Sequence, residues 1–268
     1  MSTTSGGPQQ EEQAAPIDTE SSVPGRTGRR SLAGYVFMPV VLTVVLVILY
    51  ISVSTRELDA AEQNRLAFAY IVAKTQEHLA LTVVSTLLVL VIAIPLGIVL
   101  TRPFARTITP AAISVFNVGQ AVPSIGLVAI LAIAWTIGFW PMVIALVAYT
   151  TLSVLRNTMV GLQQVDASVI ESARGMGMTK LAVLTKIELP LAVPVIMAGL
   201  RTALTINVGT ATLGAFIGAG TLGALIVSGF SGNRPFISIV GGVLVAVLAL
   251  LVDYLAGIAE DILRPHGL

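Results

Sequence analysis

The sequence predicts an all-α bundle of about six membrane-spanning helices, and three observations lead there. Apolar residues make up 55% of the 268 residues and charged residues 11%, against about 25% charged in an ordinary soluble domain. Mean hydropathy is +0.91. The apolar residues fall into long runs, and Lys and Arg cluster between those runs. A soluble globular domain and a disordered chain are both excluded. With Cys 0 there is no disulfide framework, thiolate metal site or Cys nucleophile. A net charge of +1 gives no sign of a nucleic-acid partner.

Residues 1–31 hold Ser, Thr, Gly, Gln, Pro and Glu with few large apolar side chains. Such a segment cannot offset its ordering entropy and reads as a disordered cytoplasmic tail. Residues 32–78 read as the first transmembrane helix, near 32–53, and an external segment. A cleavable signal peptide is the rival reading, but this run exceeds the usual apolar core of about 7–15 residues. Residues 56–78 are mixed-charge and suggest a short helix on the outer surface. Residues 79–264 form the main transmembrane domain. Its runs lie near 79–100, closed by Arg102; 111–137, containing Pro123; 140–155, closed by Arg156; 191–215; and 236–257. Pro95, Pro123 and Pro194 predict kinks. In lipid such runs are helices, because each backbone polar group must be satisfied within its own segment.

Orientation follows from Lys and Arg. With both termini inside, the cytoplasmic segments hold Arg26, Arg29, Arg30, Arg102, Arg106, Arg156, Arg174, Lys180, Lys186 and Arg264. The external ones hold only Arg56, Arg65, Lys74 and Arg234.

Between Arg156 and Pro190 lies the longest internal cytoplasmic stretch, 156–190. It reads as two short helices. Asp166 caps the first, Gly175 and Gly177 end it, and Thr179 caps the second, which runs to about Glu188 before Pro190. Glu171-Ser172-Ala173, Gly177, Ile187 and Leu189-Pro190 follow the spacing Glu-x-Ala-x3-Gly-x9-Ile-x-Leu-Pro. This resembles the EAA-type loop of ABC importer permeases, with Ser172 where the family usually has Ala.

The resemblance implies the MetI-like permease fold and a coupling helix docked in a cleft of a separate ATPase subunit. It places ATP and Mg on that partner, with no cofactor in this chain. Glu171 would offer a carboxylate to the partner, Ser172 and Ala173 would allow close approach, and Gly177 would make the turn. A second permease subunit, identical or homologous, and an extracytoplasmic substrate-binding protein complete the implied assembly in a bacterial plasma membrane. Residues 79–262 resemble the osmoprotectant branch, which imports glycine betaine, choline, carnitine or proline betaine. The stretches that carry this are Gln120-Ala121-Val122-Pro123-Ser124, the run after Ile187, and the glycine-rich 209–223.

Polar residues inside the runs pose two alternatives. Asn117, Gln120 and Asn207 either line the translocation path or make inter-helix hydrogen bonds. Pro123 and Thr210 are further candidates for the path. Arg201 and Asp253 either pair or reach the interface. Gly214 and Gly218 make a G-x-x-x-G spacing, which permits close helix packing, a dimer contact or a gate. No metal site is expected. Gly229-Phe230-Ser231-Gly232 resembles an intramembrane protease motif, but His78 and His266 fall on opposite sides of the membrane, so no base reaches Ser231. A secondary transporter or channel fits the composition equally and is separated from the importer by the EAA-type loop.

Overall fold

Residues 32–263 are described by a computed structural model, and every regular element among them is helical. The 1–31 tail, with Arg26, Arg29 and Arg30, and Arg264 and His266 lie outside the described residues. The long helices are α1 (Leu32–Ser54), α3 (Phe68–Leu100), α6 (Phe139–Gln163), α9 (Leu189–Ala211) and α11 (Pro235–Leu263). Between them come α2 (Ala60–Leu66), α4 (Thr109–Ala121), α5 (Ser124–Ala134), α7 (Ala167–Gly175), α8 (Lys180–Val183) and α10 (Gly223–Ser231).

Three helices form the centre. Leu81 shares a cluster with Met142 at one end, and Gly97 abuts Thr158 near the other, so α3 and α6 run parallel. Asn157 lies against Gly199 and Thr150 beside Asn207, so α9 runs antiparallel to both. Two parallel helices require one intervening crossing, which α4 and α5 supply together. They are bent by 93° at the break around Pro123. The run expected at 111–137, with a kink at Pro123, is thus one broken crossing, because Pro123 lacks the N–H that would continue the ladder. Six crossings result, counting the bent pair as one. On the outer flank, α1 is held to α11 through Tyr35 Oη, which donates to Asp261 at 2.8 Å, and Tyr254 Oη, which donates to the Tyr35 carbonyl at 2.8 Å. Both described chain ends therefore lie on the side that carries α7 and α8.

Several boundaries differ from expectation. Helix α3 begins at Phe68, so the second crossing extends beyond the 79–100 run into the presumed external segment. Helix α6 continues past Arg156 to Gln163, because Arg156 reaches sideways, its Nη2 donating to Asn117 Oδ1 at 2.6 Å. The loop proper thus starts at Gln164. Gly214 and Gly218 do not form a helical packing face: residues Thr212–Ile217 are a 3-10 turn, and Gly218 is left-handed at φ 69°. The surface helix expected outside is α2. It carries a capping box, with Glu62 N–H donating to Asp59 Oδ1 at 2.8 Å and Asp59 N–H to Glu62 Oε2 at 3.2 Å. That Glu62 N–H, followed by Arg234, holds the Asp59 carboxyl below its ordinary value.

Close approach of α6 and α9 depends on Gly199. A Cβ there would sit 2.5 Å from Asn157 Cβ. Gly199→Val forces the helices apart and is expected to cost about 1–3 kcal/mol, read as a lower unfolding midpoint in detergent. An unchanged midpoint would mean that the two helices do not touch there.

Candidate functional site

The segment 164–190 is built from local backbone chemistry. Asp166 caps α7, its Oδ1 accepting from Ser168 N–H at 2.8 Å, and this contact holds its carboxyl below the ordinary value. Met178 N–H reaches the Ala173 carbonyl at 3.2 Å and Gly177 N–H the Arg174 carbonyl at 3.0 Å. This is a Schellman turn. Its left-handed residue is Gly177 at φ 87°, a conformation that costs an L-residue about 1 kcal/mol or more. Gly175 stays helical. Thr179 Oγ1 accepts from Ala182 N–H at 3.2 Å and starts α8.

The second short helix does not stop before Pro190. A π turn, Leu184–Glu188, carries it into α9, with Leu189 N–H bonded to the Leu184 carbonyl. The extra residue in the π turn lets Pro190 sit in the first turn of α9, where its missing N–H matters least. Helix α8, the π turn and α9 therefore form one continuous piece.

Seen this way, the motif divides by exposure. Glu171 and Ser172 are exposed, as are Met176 at 77% and Leu181 at 69%. Ala173, expected at the partner contact, is instead 1% exposed, packed where α7 turns into α8. Ile187, Leu189 and Pro190 are half-buried in the continuous helix. Sequence reasoning missed the anchor of this segment. Glu188 is 6% exposed, and its carboxylate accepts both arms of Arg102, at 2.6 and 3.4 Å. The clamp ties the end of α3 to the segment 164–190. Arg102→Leu leaves Glu188 buried and unpaired, an expected loss of about 3 kcal/mol. The companion Glu188→Gln should recover part of it. Equal stability of the single variant and the parent would show that the pair is not formed.

The polar residues of the crossings separate into two groups. Asn207 is fully buried. Its Nδ2 donates to Thr86 Oγ1 at 3.0 Å, and its Oδ1 lies 3.3 Å from Thr150 Oγ1. It binds three helices together and offers no open surface, so of its two expected roles it has the inter-helix hydrogen bond and not a place along the path. Gln120 is half-buried and donates to the Tyr149 carbonyl at 2.8 Å. Asn117 and Pro123 are exposed, and Thr210 is half-buried. Arg201 lies against Asp253, at 2.9 and 3.0 Å, and also against Glu260 at 3.2 Å. His78 is fully buried. Its Nδ1 accepts from Leu222 N–H at 3.3 Å, so Nε2 carries the proton and donates to the Val208 carbonyl at 2.9 Å. With both ring nitrogens engaged, it is no base for Ser231.

This helical architecture matches known proteins. Residues 93–264 match the family described as binding-protein-dependent transport system inner membrane component. The chain belongs to this family. Among relatives of this permease is the choline transport system permease protein OpuBB of Bacillus subtilis, 38% identical over 197 residues, 73% of this chain and 89% of that protein. Another is the osmoprotectant import permease protein OsmY of Salmonella typhimurium, 38% identical over 191 residues, 71% and 81% of the two chains. In fold the permease is similar to a chain of the MetNI methionine ABC transporter in an inward-facing conformation, with TM-score 0.64, 24% identity and coverage of 73% and 96%.

Proposed function

We propose that this permease is the membrane-spanning subunit of an ATP-driven importer in a bacterial plasma membrane, with a quaternary-amine osmoprotectant as cargo. Glycine betaine, choline, carnitine and proline betaine are the candidates. The observation that carries the reading is the exposed Glu171-Ser172 edge of α7, joined through the Gly177 turn to a helix continuous with a membrane crossing. The names of the relatives support the cargo class.

In this reading two ATPase subunits bind ATP and Mg and seat α7 in a cleft, a helix-in-groove contact. Both termini are cytoplasmic. A second permease, identical or related, completes the path, and an external binding protein delivers the solute. Aromatics are 6% of the chain, too sparse for the cages that hold quaternary amines tightly, so tight recognition belongs to the binding protein. Asn117, Gln120, Pro123 and Thr210 keep open surface and are the candidates for the path.

Purification of the tagged chain from its native membrane tests the assembly, with mass spectrometry of what accompanies it. A co-purifying ATPase, followed by ATP-dependent uptake of labelled choline, glycine betaine or carnitine, is the expected result. Transport by this chain alone in reconstituted vesicles without ATP would overturn it in favour of a secondary transporter or channel.

A further inference from the structure

A cavity of about 510 Å³ opens between the end of α3 and the coupling segment. Its wall on the α3 side comes from Ile98 and Val99, in the last turn of a membrane helix, and from Phe104, which is 76% exposed just beyond it. Its opposite wall is Leu184 with the cations Arg174 and Lys180. Arg102 also lines it, but that charge is matched by Glu188. Arg174 and Lys180 are exposed and form no ion pair among the described residues. The cavity is therefore apolar beside the last turn of a membrane helix and carries two unmatched positive charges on its other wall.

We infer that this cavity binds an anionic phospholipid of the leaflet on the coupling side, with its phosphodiester between Arg174 and Lys180 and its acyl chain along Ile98, Val99 and Phe104. Each half of that ligand meets the surface its chemistry requires. Exposed apolar side chains at the end of a crossing need lipid contact, and basic pockets beside membrane helices favour acidic headgroups. The orientation of α7 separates this site from the coupling contact. Ile170 and Arg174, one turn apart, line the cavity, whereas Glu171 and Ser172 are exposed elsewhere on the helix and do not. The lipid would wedge the coupling segment against α3 beside the Arg102–Glu188 clamp.

The test titrates the full-length chain, purified in mild detergent, with palmitoyl-oleoyl phosphatidylglycerol or the phosphatidylcholine of the same acyl chains. Native mass spectrometry reads the bound lipid. Phosphatidylglycerol is expected to bind in preference to phosphatidylcholine. One cation is worth about fivefold against an anionic headgroup, so Arg174→Gln with Lys180→Gln should weaken phosphatidylglycerol by roughly 25-fold. Phosphatidylcholine should not change. Arg106→Gln with Lys186→Gln removes two exposed cations that do not line the cavity and should leave the affinity within about twofold. Three results would overturn the site: equal weakening by both pairs, undiminished binding in the cavity pair, or displacement of the lipid by inorganic phosphate. Loss of a co-purifying ATPase in the cavity pair, with lipid affinity intact, would assign the cavity to that partner instead. The readout needs no transport, so it stands or falls apart from the importer reading.

Discussion

Replacing Glu171 with Lys is expected to abolish solute uptake while the protein remains at its ordinary level in the membrane. Glu171 is exposed on α7 and makes no hydrogen bond or ion pair among the described residues. Reversing its charge therefore touches no folded contact, and such surface changes usually stay within about ±0.5 kcal/mol. At a docked interface the same reversal removes one desolvated charge pair and adds a repulsion. Losing a buried partner charge alone costs about 2–5 kcal/mol, enough to empty the ATPase cleft at ordinary protein concentrations. Uptake of labelled choline or glycine betaine in a strain lacking other importers measures it, with membrane level read by blotting. Glu171→Gln keeps the size and drops the charge, so partial uptake is expected. Gly177→Asp acts through the backbone instead. A Cβ there meets nothing within 4 Å, so its damage comes from the positive φ of the turn. Full uptake in well-expressed Glu171→Lys would remove the coupling assignment from α7.

The second large effect is structural. Arg201→Met leaves Asp253 and Glu260 facing each other across the space that the guanidinium fills. Removing one member of an enclosed charge group leaves the others uncompensated, commonly at about 3–5 kcal/mol. Here the three side chains are 28%, 33% and 27% exposed, so about 2 kcal/mol is the appropriate expectation. The same residues contact α11 from α9, so the loss should appear as poor membrane accumulation and a lower unfolding midpoint. The triple change Arg201→Met, Asp253→Asn, Glu260→Gln removes the charge imbalance and should recover most of the stability. Recovery by the triple variant separates electrostatic imbalance from simple loss of packing around the Arg stem. A stable single variant would show that water or lipid headgroups already satisfy the carboxylates.

Local signals were the most legible part of this chain. Asp166, Gly177 and Thr179 mark their turns because caps and left-handed glycines act within a few residues. The long crossings were legible because apolar length sets them. What depended on contacts far apart in sequence was not legible. Arg102 looked like the end of a helix, and only the fold brings Glu188 to it across 86 positions. Arg156 looked like a boundary, yet a long side chain can leave its helix sideways. Pro190 looked like a stop, because no sequence rule announces a π turn that absorbs it. For Asn207 the polar type left path and inter-helix bond both open, and the second was decided only once Thr86 and Thr150 were placed on either side. The right-angle break at Pro123 was legible as a break, while its 93° came from how α5 packs against α6 and the 3-10 turn.

The union of α8, the π turn and α9 makes a single strut without slack. From Lys180 to Ala211 it is on the order of 45 Å long at about 1.5 Å per residue. Such a strut amplifies rotation: tilting it by ~5° about its Lys180 end would sweep the far end by ~4 Å. That far end meets the 212–222 bend, whose Leu222 N–H is held by His78 of α3. Since α3 is clamped to the strut near Arg102 as well, it meets the strut at both ends. A push on α7 would therefore arrive on the opposite face as a paired movement of two crossings, with the short bend between them swinging like the blade of a shutter.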